Sequence, residues 1–257
     1  MGPEIKAWRP NVPGIHEVLH ARFTTHAYPS HTHDAWTLLL MDDGMVRYDL
    51  DRHEHGALRS QVTLLPPGVP HDGRSPRPFR KRVLYLAADT LTGVGAAVDH
   101  PSLDDPLLRR RVNQLHRSLD PADAEVLEAQ SRFTLIRDRL RQHLRVAEPP
   151  PPAAVSVARR LRDLLDARLP ETPSLDEAAA LLDVHPVSLV RAFSREFGIP
   201  PHRYVTGRRL DLARRHLLAG HPTAEAATMA GFYDQAHLTR HFRKLLGIGP
   251  SRYGLPH

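Results

Sequence analysis

The 257-residue chain contains no cysteine. A disulfide framework, a cysteine-based zinc site and a thiol nucleophile are therefore excluded. Long apolar runs are also missing, since no stretch approaches the ~18 to 20 apolar residues that a membrane-spanning helix needs. Residues 1–10 lack the apolar core of a secretion signal. These absences lead us to expect a cytoplasmic protein that does not engage a membrane.

Charge is present but unevenly distributed. The formal net charge is +6, and residues 153–257 contain 15 Lys and Arg against 10 Asp and Glu, whereas residues 1–152 contain 20 against 19. A local basic excess is what binding to nucleic-acid phosphates requires, because Lys and Arg neutralise phosphates and release counterions. Charge alone leaves open a second interpretation, a solvated arginine-rich surface.

Four consecutive prolines at residues 149–152 mark a boundary. Proline cannot continue a helix, and a proline run favours an extended, semi-rigid spacer. We therefore predict a two-domain α+β protein. Its parts are a β-rich domain at residues 1–100, a helical pair at 101–147, a proline linker at 148–153 and an all-α domain at 154–257.

The β-rich part shows short apolar or alternating runs that end at turn residues. Such runs, joined by turn-rich connections, are typical of a sandwich or barrel. The runs lie at residues 36–41, 46–50, 62–65 and 83–86, with turn signals at 42–44 and 66–68.

The helical pair has one apolar stripe on each helix. Such stripes pack on the barrel, on each other or on a second copy of the chain, and we predict that the pair dimerises. The first stripe is Leu108, Val112, Leu115 and Leu119. The second is Val126, Phe133, Ile136, Leu140 and Leu144.

Helix signals dominate the chain after the linker. A helix at residues 155–169 ends at Pro170, and Ser174 with Glu177 has capping-box spacing. Pro186 suits a first helical turn, and a long helix is predicted at 201–219. Thr223 is predicted to cap a short helix, and Asp234 to begin the last one.

The helical part contains one phrase twice. Residues 198–204 read GIPPHRY and residues 247–253 read GIGPSRY, 49 residues later. Phe193 and Phe242 each precede the glycine by five residues. A short Ala-rich helix and a tight turn precede each Phe-containing helix, and Gly231 suits the second turn. We predict two helix-turn-helix units, separated by a helix of roughly 30 Å, close to the ~34 Å of one B-DNA turn.

Residues 154–254 resemble the DNA-binding domain of the AraC/XylS family of bacterial transcription regulators. The most specific stretch is residues 230–244, AGFYDQAHLTRHFRK, followed by Gly247, Pro250 and Tyr253. Ala236 departs from the pattern, because many relatives carry a polar residue there.

The resemblance implies DNA contacts from both recognition helices. In the first, the groove-facing residues are Val187, Ser188, Val190 and Arg191. In the second, they are Gln235, Ala236, His237, Thr239 and Arg240. Arg191 is suited to guanine, valines to thymine methyl groups and Gln235 to adenine. Phosphate contacts are expected from Arg195, Arg243 and Lys244.

The first domain contains His31-Thr32-His33, then Gly44, then PPGVPH at residues 66–71. These segments resemble the two motifs of the cupin barrel, and such barrels are common sensor domains in this regulator family. The resemblance implies a cupin-like effector-binding barrel at residues 1–100.

The same resemblance implies a ligand set of His31, His33 and His71 for Zn, Ni or Fe. The acid that metal-binding cupins add is absent, because Thr37 occupies its position, and Asp34 should face the other way. A metal-free effector pocket formed by these histidines with Trp36, Tyr48 and Tyr85 stays open as an alternative. His53-Glu54-His55 also has ligand-like spacing, but we predict an exposed loop there.

We predict a non-enzymatic transcription regulator that binds double-stranded DNA as a homodimer and responds to a small-molecule effector. As an activator it would also contact RNA polymerase. Two alternatives stay open. One is a cupin metalloenzyme, a dioxygenase or isomerase, with a DNA-binding tail. The other is a constitutive regulator whose barrel serves only for dimerisation.

Overall fold

The computed structural model of the protein describes residues 3–119, 126–144 and 156–253. The predicted proline linker at 148–153 lies outside these ranges. Within them, no helix is both long enough and apolar enough to cross a membrane. The described chain has the predicted α+β character, with strands dominating up to Leu103 and helices after it.

Two antiparallel sheets enclose the core of the amino-terminal part. Its strands are β1 (Glu4–Trp8), β2 (Ile15–Phe23), β3 (His26–His31), β4 (Trp36–Asp43), β5 (Val46–Leu50), β6 (His53–Ala57), β7 (Val62–Leu65), β8 (His71–Ser75), β9 (Phe79–Leu86) and β10 (Ser102–Leu103). The larger sheet has the order β1-β2-β9-β4-β7-β10, and the smaller has β3-β8-β5-β6. The inner faces of both sheets contribute to one apolar core, which gives the barrel-like fold that was predicted.

The prediction of a loop at residues 53–55 is wrong. His53 begins the strand β6, where it pairs with Leu50 of β5. Because β6 is the edge of its sheet, it tolerates exposed polar side chains, and both His53 and Glu54 are exposed. An edge strand of this kind has little apolar alternation by which to recognise it.

Three helices cover the outer face of the larger sheet: α1 (Val94–Asp99), α2 (Pro106–Ser118) and α3 (Val126–His143). Both predicted apolar stripes are buried where the structure describes them, from Leu108 to Leu119 and from Phe133 to Leu144. They form one cluster with Trp36, Leu38 and other outward-facing residues of the sheet. The stripes therefore pack on the barrel and on each other, and they are not free to bind a second copy.

His116 on α2 makes stability at this face sensitive to pH. The side chain is 2% exposed, and its Nδ1 lies 3.3 Å from Nε2 of His20. Burial, together with the charge of Arg82, holds the pKa of His116 well below its ordinary value of 6.5. The folded protein keeps the ring neutral, whereas the unfolded chain takes up a proton near pH 6.5. The stability that neutral His116 contributes is therefore complete above that pH and declines below it.

The free energy of unfolding of the wild type should fall between pH 7.5 and pH 5.5. We expect His116→Gln to make this fall smaller by about 1 kcal/mol. Urea unfolding at both pH values measures this difference. The exposed His53→Gln variant serves as the control and should retain the wild-type pH dependence. An unchanged pH dependence in the His116 variant would show that this ring does not titrate on unfolding.

The carboxyl-terminal part is helical throughout its described residues. Its helices are α4 (Val157–Ala167), α5 (Leu175–Leu182), α6 (Pro186–Phe197), α7 (Pro201–Leu218), α8 (Thr223–Met229) and α9 (Gln235–Leu246). The first helix-turn-helix unit is α5–α6 and the second is α8–α9, with α7 between them. Ser174 and Glu177 form the predicted capping box, and Asp234 caps α9. Thr223 does not cap α8, because Pro222 holds that position and Thr223 is the first helical residue.

The turns of the two units use left-handed backbone, as their sequences indicate. Asp183 has φ +54° and Gly231 has φ +77°. A Cβ atom on Gly231 would lie 2.7 Å from the carbonyl oxygen of Pro170. Glycine is therefore required at the second turn both by its backbone conformation and by this close approach.

The second unit packs against the barrel. Phe242, Leu245 and Leu246 of α9 belong to the same apolar cluster as Leu19 and Phe23 of the barrel. Phe193 of the first unit belongs to a separate cluster formed by carboxyl-terminal helices. The two halves of the repeat thus have the same local fold but different tertiary roles.

Candidate effector chamber and DNA-binding surface

A small chamber of about 60 Å³ lies inside the barrel. The predicted pocket residues His31, His33, Tyr48, His71 and Tyr85 all line it. The last turn of α9 completes its wall with Leu245 and Leu246. The second recognition helix therefore begins at the exposed surface and ends at the chamber.

Trp36 is the one predicted pocket residue that does not line the chamber. It is fully buried in the cluster between the larger sheet and the helices, and its Nε1 donates to the carbonyl of Ala88 at 3.1 Å. Successive side chains of a strand point to opposite faces. Thr37, the next residue, consequently faces the chamber.

The three motif histidines meet in the chamber. One ring nitrogen of each lies within 4.8 Å of those of the other two, and Nε2 of His31 is 3.2 Å from Nε2 of His33. Asp34 does not join them, because its carboxylate pairs with Arg208 at 3.0 Å and with Arg215, both on α7. Asp34 lies in the bend between β3 and β4, so its carboxylate is directed by these pairs with α7 and not by strand alternation.

The ionisable groups of the chamber are shifted toward their neutral forms. Burial lowers the pKa of His71 to about 4, and it holds the pKa of His31 and of His33 well below the ordinary value. Burial, with the nearby charge of Arg214, also lowers the pKa of Lys81 to about 7. Lys81 lines the chamber too, and its Nζ lies 4.2 Å from the centre of the Tyr28 ring.

Charged residues join the chamber to α7. Asp211 accepts from Nδ1 of His33 at 2.9 Å and from the backbone amide of Asp34 at 3.2 Å. Arg214 donates to Glu17 of β2 at 2.6 Å and to the Tyr253 hydroxyl at 2.9 Å. Its guanidinium lies 4.2 Å from the centre of the Tyr85 ring.

This network is not apparent from the sequence. Asp211 and Arg214 lie in the middle of α7, which the sequence pattern indicated only as a spacer between the two units. The one available signal was the density of charge at residues 208–215, RRLDLARR, which does not reveal that the charges are buried.

A larger open groove of about 1290 Å³ lies on the outside of the barrel. It contains none of the predicted pocket residues. Its wall includes four arginines from the smaller sheet and the loops beside it: Arg47, Arg59, Arg74 and Arg77. Arg74 is already paired with Asp49 at 3.3 Å and with Glu54. The chamber, by contrast, brings together the predicted residues and contacts the DNA-binding half.

The first recognition helix, α6, exposes most of its predicted DNA-contacting residues. Val187 is 51% exposed, Ser188, Arg191 and Arg195 are exposed, and Val190 is half-buried. Arg191 and Arg195 make no salt bridge with any described residue. The Arg195 backbone carbonyl accepts from Arg52 of the loop between β5 and β6.

The second recognition helix, α9, presents a shallow concave surface. It is lined by predicted contact residues, namely Gln235, Ala236, Thr239, Arg240 and Arg243. Lys244 is also exposed.

His237 is directed toward the turn that precedes α9. Its ring packs edge-on against Phe232, with the ring centres 5.4 Å apart, and its Nδ1 accepts from the Tyr233 amide at 3.4 Å. Tyr233, which is not among the predicted contact residues, is 92% exposed beside the start of α9.

An exposed pair of helix-turn-helix units, joined to a barrel with an internal chamber, defines a class of DNA-binding regulators that carry a ligand-binding domain. Comparisons with known proteins agree with this class. Residues 13–144 match the family model described as AraC-like ligand binding domain, and residues 178–254 match a helix-turn-helix domain. The chain belongs to the AraC family of transcription regulators.

Individual relatives agree with the assignment. A stretch of 62 residues is 39% identical to the "Probable transcriptional regulator LumQ" of Photobacterium leiognathi. This stretch is 24% of the present chain and spans only about a quarter of that relative, 25% of its length.

Solved structures show the same fold. ToxT from Vibrio cholerae O395 has a TM-score of 0.60 at 9% identity, over 97% of this chain and 96% of that chain. Unsaturated fatty acid bound wild-type ToxT from Vibrio cholerae strain SCE256 has a TM-score of 0.55 at 11% identity, over 98% and 94% of the two chains.

Proposed function

We propose that the protein regulates transcription by binding double-stranded DNA through α6 and α9, in response to a ligand in the barrel chamber. The observation that carries this proposal is the position of α9. Its first turns bear the exposed Gln235 and the half-buried Thr239, while its last turn supplies Leu245 and Leu246 to the chamber wall. One rigid helix thus connects the proposed DNA surface with the proposed ligand site.

The ligand acts only if it binds one arrangement of the two halves better than another. The contacts that distinguish such arrangements are the Asp211–His33 hydrogen bond, the Arg214–Glu17 ion pair and the apolar packing of α9 against the barrel. A ligand that strengthens these contacts favours the arrangement in which the DNA-binding half is docked on the barrel. A ligand that displaces α9 from the barrel favours release of the second unit.

We expect Arg191→Ala to weaken specific DNA binding by about 1–3 kcal/mol, because an arginine that reads a guanine makes two hydrogen bonds to its edge. The target is a duplex selected by the protein from random sequences. Fluorescence anisotropy against this duplex and a scrambled one gives the ratio of specific to non-specific affinity. For Arg191→Ala this ratio should fall.

Arg160→Ala is the matched control, because Arg160 is an exposed arginine of the same half but lies on α4. It removes the same charge and should weaken binding to both duplexes by a similar factor. Arg195→Ala should behave like the control if it contacts phosphate. A ratio that Arg191→Ala leaves unchanged would remove Arg191 from base recognition, and failure of the wild type to select any duplex at low salt would refute DNA recognition itself.

We also propose a homodimer, and contact with RNA polymerase if the protein activates. Since the apolar stripes of α2 and α3 are buried within the chain, a dimer would use their outer faces. There Leu107 is 40% exposed and Leu135 is 52% exposed. Sedimentation equilibrium measures the oligomeric state.

The chamber also bears on the metalloenzyme alternative, in which the three histidines serve catalysis. We assign them to sensing instead, because Asp211 of the DNA-binding half contacts His33 directly. The constitutive alternative predicts that no ligand changes the affinity for the selected duplex in the fluorescence anisotropy assay.

A further inference from the structure

Lys81 points into the barrel from a strand face that is otherwise apolar. Side chains alternate along β9, and the neighbours of Lys81 on its inward face, Phe79 and Val83, are buried in the barrel core. Across the sheet Lys81 pairs with Ala21 of β2 and Met41 of β4, which belong to the same core. The side chain lines the chamber and is half-buried. Its amine therefore lies among apolar groups and keeps some access from outside.

No anion pairs with this amine among the described residues. Lys81 makes no hydrogen bond or ion pair with them, and its Nζ lies over the face of the Tyr28 ring, 4.2 Å from the ring centre. The groups whose pKa responds to the charge of Lys81 are all bases, namely His26, His31, His33 and His71. A buried ammonium without an anion is unfavourable, and such a position favours the neutral amine.

Lysine is rare in this chain, which contains three among its 35 Lys and Arg residues: Lys6, Lys81 and Lys244. Arginine stays charged in proteins, whereas lysine can lose its proton when it is buried. Burial, with the nearby charge of Arg214, lowers the pKa of Lys81 to about 7. Roughly half of the Lys81 side chains are then neutral at pH 7, against about one in 2,500 for an ordinary lysine with a pKa of about 10.4.

A neutral amine in an apolar pocket is the nucleophile that forms imines with carbonyl compounds. Its Nζ attacks the carbonyl carbon, a C–N bond forms, and the carbonyl oxygen takes a proton from the nitrogen to give a carbinolamine. The nitrogen lone pair then expels this oxygen as water, which removes the second proton of the amine and leaves a C=N bond. The step needs no oxidant or reductant. The Tyr28 hydroxyl is buried without a hydrogen-bond partner among the described residues, so it is suited to exchange these protons.

The size of the chamber limits the carbonyl compound. A volume of about 60 Å³ holds about two to four heavy atoms, since a water molecule takes about 30 Å³ in the liquid. Pockets for drug-sized ligands hold about 300–1,000 Å³. The chamber is therefore suited to a short aldehyde or ketone.

Contacts lead from Lys81 to the second recognition helix. The Tyr28 ring beneath Nζ stands edge-on to the His26 ring, with the ring centres 4.3 Å apart. Nε2 of His26 donates to the carbonyl oxygen of Leu245 at 3.1 Å. This carbonyl lies in the last turn of α9, where carbonyls have no partner within the helix. An adduct on Lys81 takes the cation from the Tyr28 ring and adds volume beside the side chains that hold the end of α9.

We propose that Lys81 is a covalent sensor, whose Nζ forms a reversible imine with a small aldehyde or ketone in the chamber. The adduct changes the packing of α9 on the barrel through Tyr28 and His26. This inference rests on the proposed function and names the chemical class of its ligand. Because coupling is reciprocal, a carbonyl compound that alters the affinity for DNA is itself bound with an affinity that DNA alters by the same factor.

The test incubates the full wild-type chain at pH 7 with acetaldehyde and sodium cyanoborohydride, which reduces an imine to a stable secondary amine. Peptide mapping by mass spectrometry then locates the added ethyl group. We expect Lys81 to be labelled at least about 10-fold faster than Lys6, because more of its amine is neutral. Lys6 is the internal control, since it lies on β1 between the inward-facing Ile5 and Ala7 and so faces outward. Labelling of Lys81 no faster than that of Lys6 would overturn the proposal.

Two variants separate the imine from its effect on α9. Lys81→Arg keeps a cation but cannot form an imine, so its DNA affinity should no longer respond to acetaldehyde, whereas the matched control Lys6→Arg should respond like the wild type. His26→Phe should keep the labelling of Lys81 but respond less, because its ring cannot donate to Leu245. A full response in Lys81→Arg would overturn the covalent sensor, and a full response in His26→Phe would overturn the path to α9. The labelling comparison uses the wild type, so it decides even if a variant does not fold.

The response is measured by fluorescence anisotropy on the selected and scrambled duplexes, with acetaldehyde and with acetate, which is of similar size but forms no imine. We expect acetaldehyde to change the affinity for the selected duplex by at least about 5-fold and acetate to leave it unchanged. An equal response to acetate, or no response to acetaldehyde, would overturn the sensor. Specific DNA binding by a wild type whose Lys81 is not preferentially labelled refutes this inference and leaves the proposed DNA-binding function intact. Preferential labelling without any specific DNA binding refutes that function instead.

Discussion

Replacing Arg214 with methionine is expected to destabilise the docked protein by about 3–5 kcal/mol. The Arg214 side chain is 3% exposed, and it is the cation that faces both Glu17, 4% exposed, and Asp211, 5% exposed. Removing one partner of a buried ion pair leaves an uncompensated charge, and this costs more than the pair itself contributes. Methionine keeps much of the apolar volume, so the loss reports mainly on charge.

The measurement is hydrogen exchange combined with urea unfolding. Exchange should accelerate in β2 and α7, the elements that carry Glu17 and Arg214. A second variant that combines Glu17→Gln with Arg214→Met removes one of the stranded charges and should recover part of the loss. The exposed Arg191→Met variant is the control and should change stability by less than about 0.5 kcal/mol. A loss below about 1 kcal/mol for Arg214→Met would contradict a buried electrostatic link between the halves.

Phe193→Ala and Phe242→Ala should each lower the local free energy of unfolding by about 3–5 kcal/mol, the usual effect of deleting a buried aromatic ring. Both side chains are fully buried, and they hold equivalent positions in the repeat. Their surroundings differ, however. Phe193 contacts Phe197 of its own helix and Tyr204 of α7, whereas Phe242 belongs to the cluster that includes the barrel.

The two variants should therefore disturb different regions. Phe193→Ala should accelerate hydrogen exchange in α4, α5 and α6 while leaving the chamber strands protected. Phe242→Ala should accelerate it in α8, α9 and β3, and it should loosen the chamber wall. Leu181→Ala, at a side chain that is 54% exposed, is the control with little expected effect. Identical exchange patterns for the two phenylalanine variants would mean that the repeat units are equivalent after all.

The local elements of this protein were largely readable from its residues. The signals for these elements act over a few residues. They are capping residues such as Ser174 and Asp234, the left-handed Gly231, and the five-residue spacing between each of Phe193 and Phe242 and the glycine that follows it. Such short-range signals determine where helices begin, turn and pack in pairs. They were sufficient for the two helix-turn-helix units, and the cupin-like motifs indicated which histidines would meet.

Only the tertiary structure determined which side chains line the chamber and which residues of the two halves contact each other. Trp36 and Thr37 are neighbours in sequence, yet only the sheet's pairing sends one toward the helices and the other into the chamber. The acidic partner of His33 lies 178 residues away on α7, where nothing in its neighbourhood distinguishes it from a solvated charge. Burial and long-range pairing depend on the packed fold as a whole, so local pattern cannot supply them.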